Sequence, residues 1–125
     1  MKKVILDTNF LMLPVQKRLD VFELIPEILE DRVEFYVVKQ TLKELENLSK
    51  NRGKSGMAAR VALELLKSRK VRVLDVEGRS CDEAILRVAT NDFIVATNDK
   101  MLRKRLKGAN VKTIYLRSKK YLGMD

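Results

Sequence analysis

The sequence predicts an α/β domain in three layers, with helices on both faces of a central parallel sheet of about five strands. Three observations carry that expectation. Short runs rich in Val, Ile and Leu alternate with stretches of helical period from one end of the chain to the other, the pattern of consecutive βαβ units. The 125 residues suit one domain, residues 1–125, with no linker and no internal repeat. Hydrophobic residues make up 46%, which argues against a disordered chain.

The first strand is Val4–Leu6, a short apolar run that ends abruptly in Asp7. Pro14 breaks up the next segment. Val21, Phe22, Leu24, Ile25, Ile28 and Leu29 then recur at helical spacing, with Pro26 inside the pattern. Glu34–Val38 reads as the second strand. Thr41 and Glu44 have capping-box spacing, so a helix is expected to begin there. Lys50–Gly56 is polar and basic with two glycines and reads as a loop. Met57–Lys67 is a helix with Ala58, Val61, Ala62, Leu65 and Leu66 inward. The third strand is Val71–Val76. Ser80 and Glu83 form a second capping box, and Ala84, Ile85, Val88 and Ala89 line the helix that they open. Phe93–Thr97 is the fourth strand, Asp99 opens a helix that ends near Gly108, and Val111–Leu116 is the fifth strand.

Charge and composition narrow the chemistry. The chain carries 26 basic and 17 acidic residues, a net charge of +9, so it should attract polyanions, nucleic acid foremost. It has no histidine and one cysteine, Cys81. That excludes imidazole bases, His-ligated zinc and an internal disulfide. Any metal must be held through oxygen, which favours Mg2+ or Mn2+. There is no run of membrane-spanning length and no signal peptide, and the lone cysteine suits a reducing compartment. The expected location is cytoplasmic.

Four acids stand at equivalent places. Asp7 follows the first strand, Glu44 lies in the helix after the second, Asp82 opens the helix after the third, and Asp99 follows the fourth. In a parallel sheet these positions share the edge beyond which ligands bind. Each acid alone has a structural explanation: a box with Thr41 for Glu44, the helix dipole for Asp82, a turn or cap for Asp7 and Asp99. Together they suggest a cleft. Clustered carboxylates raise one another's pKa unless a cation lies between them, and a divalent ion resolves that cost.

DTN after the first strand, EL within TLKELENL, the pair Asp82-Glu83 and TND after FIVA resemble the signature of the PIN-domain ribonucleases over nearly the whole chain. The resemblance implies a small α/β/α nuclease that cuts RNA with Mg2+ or Mn2+. Asp7, Glu44, Asp82 and Asp99 would be its catalytic, metal-binding acids. Asn9 and Thr97 would support them. DTNFLMLPVQKRLDVFELIPEIL, GKSGMAARVALELL and YLRSKKYLG resemble the branch that processes small-subunit ribosomal RNA and its archaeal relatives. Toxin ribonucleases of the VapC type form the neighbouring branch. One departure is Ser80-Cys81-Asp82-Glu83 where that ribosomal branch has an Asp-Asp pair, so Glu83 is expected to share or supplement the role of Asp82. Dimers are common in the family, so a homodimer is expected by resemblance.

Two basic groups are the expected RNA contacts. Lys50, Arg52 and Lys54 lie in the loop after the Glu44 helix. Lys100, Arg103, Lys104 and Lys107 share a face of the helix that Asp99 opens. No row of aromatics suggests base stacking. Two rivals come from other classes. One is an RNA-binding or ribosome-assembly module without catalysis. The other is a phosphate-binding or receiver domain; the chain lacks a P-loop and a Gly-rich fingerprint, and its acids are not gathered mainly at the first and third strand ends as a receiver's would be.

Overall fold

The computed structural model describes all 125 residues. Six strands form one sheet in the order β3-β2-β1-β4-β5-β6. They are β1 (Lys2–Leu6), β2 (Val33–Val38), β3 (Arg72–Leu74), β4 (Phe93–Ala96), β5 (Lys112–Leu116) and β6 (Leu122–Met124). The first five are parallel, as the alternating pattern predicts. The sixth returns antiparallel on β5, pairing Leu116 with Leu122. Its three residues carry too short a pattern to be read as a strand in the sequence. The chain leaves β1 toward β2 and β3 on one side and returns to build β4, β5 and β6 on the other. The direction of travel reverses between β1 and β4, so the crevice at their carboxyl ends is the expected ligand site.

The period-2 alternation of the strands divides the core. Val4 and Leu6 of β1 face one side with Val37, Ile94, Ala96 and Ile114. There they meet α1 (Thr8–Leu11), α2 (Leu13–Gln16), α3 (Val21–Leu29), α4 (Lys39–Ser49) and α5 (Gly53–Ser68), through Phe10, Leu11, Val21, Ile25, Leu45, Ala59 and Ala62 among others. Ile5, Val38 and Val95 face the other side. They pack on Ala84 and Ile85 of α6 (Cys81–Val88) and on Leu102 and Leu106 of α7 (Lys100–Gly108). The result is a three-layer sandwich.

Three local expectations need correction. The helix after β2 begins at Lys39, directly off Val38, and no side chain caps it. Thr41 is therefore inside α4 and fully buried, so it forms no box with Glu44. The basic stretch read as a loop is largely helix: α5 starts at Gly53, whose φ of +83° turns the chain out of α4. Gly56 belongs to that helix and lies so close to α4's end that a Cβ there would sit 1.8 Å from the Asn51 carbonyl oxygen. β3 spans Arg72–Leu74, shorter than the run Val71–Val76. The second capping box does form: Ser80 Oγ accepts the Glu83 N–H at 3.2 Å, while Glu83 Oε2 accepts the N–H of Arg79 at 3.3 Å.

Candidate active site

Asp7 is the centre of the crevice. It is 4% exposed, and three donors hold its carboxylate. Oδ1 accepts the N–H of Thr8 at 2.8 Å, and Oδ2 accepts the Thr97 hydroxyl at 2.7 Å and the Asn9 amide at 3.2 Å. The first of these caps α1, so the strand ends in an acid that also starts a helix. Thr97 is fully buried at the end of β4, and its Oγ also accepts the N–H of Asp99 at 3.1 Å. One hydroxyl thus couples two of the acids. Asn9 Oδ1 accepts the N–H of Asn98 at 3.1 Å, and Asn98 Oδ1 accepts the N–H of Leu116 at 2.7 Å. The ends of β1, β4 and β5 are stitched together by this TND segment.

The other acids surround that centre. Asp99 caps α7 through Oδ1, which accepts from Met101 and Leu102, and its Oδ2 has no protein donor. Asp82 is half-buried in the first turn of α6 and accepts no hydrogen bond. Glu44 is exposed on α4, with Cys81 Sγ 3.9 Å from its Oε2. Cys81 itself is buried between the Thr8 and Thr41 hydroxyls, at 3.6 and 3.7 Å. Thr41 was read as a helix cap and Thr8 was given no role, so neither was expected beside Cys81.

Two of the acids, Asp7 and Asp82, are perturbed by their burial and by the charges around them. Burial pushes the Asp7 carboxyl up first; Thr97 and Thr8 pull it back, and the charges of Asp82 and Glu44 add to the rise. Asp82 is pushed up by burial, then by Asp99 and Glu44, against the pull of Arg105. None of the four forms an ion pair, although six other acidic groups do. In a chain with 26 cations, that is a selective lack of neutralisation. The donor set is all oxygen and suits a hard divalent cation. The carboxylates are spread round the crevice; no three close into a ready-made cage.

Glu83 stands apart from this group. Its carboxylate is held by the helix end and by Arg87 at 3.6 Å, which leaves Asp82 as the acid of the pair that the others sense. Among the basic candidates, Lys50, Arg52 and Lys54 are exposed at the junction of α4 and α5, about 9 Å of helix rise beyond Glu44. Lys100, Lys104 and Lys107 are exposed on α7. Arg103 is not available: it pairs with Asp125 at 2.8 Å and lies 3.6 Å from the Tyr115 ring centroid. Sequence reasoning missed Arg105, which lines a cavity of about 590 Å³ with Asp82, Ser80 and Arg87. It also missed Lys43 and Arg79, which border a cavity of about 500 Å³ beside Glu44. Their only signal is position, since lysine and arginine are scattered over the whole chain.

Comparison with known proteins agrees with this geometry. Residues 4–119 match the family described as PIN like domain. The chain is 35% identical over 126 residues to Ribonuclease VapC4 of Methanocaldococcus jannaschii, covering 97% of this chain and 95% of that one. It is 33% identical over 118 residues to Ribonuclease VapC9 of Archaeoglobus fulgidus, covering 93% and 84%. Its fold superposes on the PIN domain endonuclease Utp24 with a TM-score of 0.82 and 26% identity, covering 98% of this chain and 90% of the other. By family match, by relatives and by fold, the chain belongs to the PIN-domain nuclease family.

Proposed function

We propose that the protein is a metal-dependent endoribonuclease that acts in ribosomal RNA processing. The observation that carries the reading is the set of four unpaired acids at one sheet edge of a chain with net charge +9. Asp7, Glu44, Asp82 and Asp99 would hold Mg2+ or Mn2+. Such an ion, when bound, activates water and stabilises charge on the phosphate. Thr97 and Asn9 fix the Asp7 carboxylate, and the α7 cap holds Asp99 through Oδ1 and leaves its Oδ2 free of protein donors. Water attacks phosphorus in line as the bond to the 3′ oxygen breaks. The products are a 5′-phosphate and a 3′-hydroxyl. Asp82, which accepts no hydrogen bond from the protein, would besides helping to hold the ion take the attacking water's proton, and the leaving 3′ oxygen takes its proton from solvent. The exposed lysines of α7 and of the α4–α5 junction attract the RNA backbone.

The ribosomal role rests on the resemblance of the motifs around Asp7, Lys54 and the carboxyl-terminal YLRSKKYLG, and the likeness to the Utp24 endonuclease supports endonucleolytic cutting. The two relatives named VapC favour a second reading, a toxin-type ribonuclease. One experiment tests the shared chemistry. A structured ribosomal RNA fragment is incubated with the protein and Mn2+, Mg2+ or EDTA, beside Asp82→Asn and Asp99→Asn. Cleavage should need metal and be lost in both variants while their circular dichroism stays that of wild type. Cleavage in EDTA, or full activity in either variant, refutes the assignment. Whether ribosomal fragments are cut in preference to unrelated RNA then separates the two roles.

A further inference from the structure

The turn between β5 and β6, Arg117-Ser118-Lys119-Lys120-Tyr121, lies at the same sheet edge as the acids. β5 runs parallel to β4, so both end at the crevice. The turn is built rather than loose: the N–H groups of Arg117 and Ser118 donate to the Tyr121 carbonyl at 2.8 and 3.3 Å. Its root is tied to the site through Asp7, Asn9, Asn98 and the Leu116 N–H. Two strand spacings separate β5 from β1, about 10 Å. All five residues of the turn are exposed, and Tyr121 is 70% exposed. Arg117, Lys119 and Lys120 form no ion pair, and the Tyr121 hydroxyl has no hydrogen-bond partner. On its α3 side, Lys120 borders a cavity of about 630 Å³ with Lys17 and Arg18 and with Asp20, Glu23 and Glu27, so the charge is balanced there and the excess of cations stays on the turn.

An exposed tyrosine costs little to order, and a ring beside three free cations fits one class of ligand. We infer that the β5–β6 turn is a substrate arm: Tyr121 stacks on an unpaired base of the RNA strand that leaves the crevice, and Arg117, Lys119 and Lys120 hold its phosphates. This rests on the reading of the protein as a ribonuclease, and it adds a preference for an unpaired nucleotide flanking the cut. A helical RNA has no free base face to offer the ring, so a duplex should not use it.

The test measures binding and cutting separately. A short labelled single-stranded oligoribonucleotide is titrated in EDTA with wild type, Tyr121→Ala, Tyr121→Phe and the triple variant R117A/K119A/K120A, across a salt series. Thermal melts check that each is folded. Tyr121→Ala should bind about five- to 150-fold more weakly, with Tyr121→Phe like wild type. The triple variant should lower the slope of log affinity against log salt by about 2. Wild-type affinity in Tyr121→Ala, or an unchanged slope in the triple variant, overturns the arm. If wild type with Mn2+ still cuts in that case, only the arm falls. If the arm binds but wild type never cuts, only the nuclease reading falls. A wild type that binds no RNA overturns the arm.

Discussion

Removing one oxygen from Thr97 should disturb both stability and acidity of the site. Thr97→Val keeps the side-chain shape in a fully buried place. It deletes the donor to Asp7 Oδ2 at 2.7 Å and the acceptor for the Asp99 N–H at 3.1 Å. A hydrogen bond to a charged group is worth about 1.5–3 kcal/mol, and an orphaned backbone N–H costs about 1–3 kcal/mol when buried. Asp99 is half-buried and water reaches part of it, so the sum falls near 2–4 kcal/mol. That is a large part of the roughly 5–15 kcal/mol of a typical domain. Urea unfolding at neutral pH measures it, with Thr97→Ser as the control that restores both bonds. The same bond holds the Asp7 carboxyl down against burial. Its loss raises Asp7 further, so the acid limb of the cleavage profile should move to higher pH in the valine variant only. Equal unfolding free energies for Val and Thr, or an unmoved acid limb, would refute the coupling of Asp7 to Asp99 through this hydroxyl.

The same geometry bears on three more variants. Asp82 is raised in the fold, so the native state binds more protons than the unfolded chain between the ordinary value of 3.8 and the raised one. Its contribution is therefore present below 3.8 and lost as pH rises through the raised value. Asp82→Asn should gain stability relative to wild type across that window and then hold a constant difference, as denaturation at several pH values reports; saturating Mg2+ should stabilise wild type by about 2.7 kcal/mol at a hundred times its Kd and leave the variant much less changed. Gly56→Ala places a Cβ 1.8 Å from a backbone oxygen, so α5 must shift against α4; calorimetry should show a loss of more than about 2 kcal/mol, and a wild-type melt would contradict the close approach. Arg103→Ala removes the Asp125 pair and the contact with Tyr115, so the melting temperature should fall modestly while RNA affinity stays that of wild type. A loss of affinity without a loss of stability would return Arg103 to the RNA surface.

Much of the fold was legible because the chain writes it in strand-length runs. Val4–Leu6, Glu34–Val38 and Phe93–Thr97 are apolar enough to mark central parallel strands, and each is followed by a segment that carries a site acid. Asn9 and Thr97 were expected as supports through the resemblance of DTN and TND, and both donate to Asp7. The failures were local. Thr41 and Glu44 have the spacing of a box, but Val38 feeds straight into α4, and the threonine goes to the core. Gly53 and Gly56 look like loop residues, yet one sets a turn and the other lets two helices touch. Arg103 shares a face with true surface lysines, and its partner Asp125 is 22 residues away, beyond any helical pattern. β6 has three residues and exists only through its pairing with β5.

The sheet's two flanks have the same character. β3 and β6 are each three residues long, while the strands between them run to five or six except for β4. A short flank exposes few free N–H and C=O groups, and β3 adds the charge of Arg72 beside its exposed Val73. Such borders are poor templates for a neighbouring molecule to zip onto. The two borders thus work against sheet-to-sheet association of neighbouring copies.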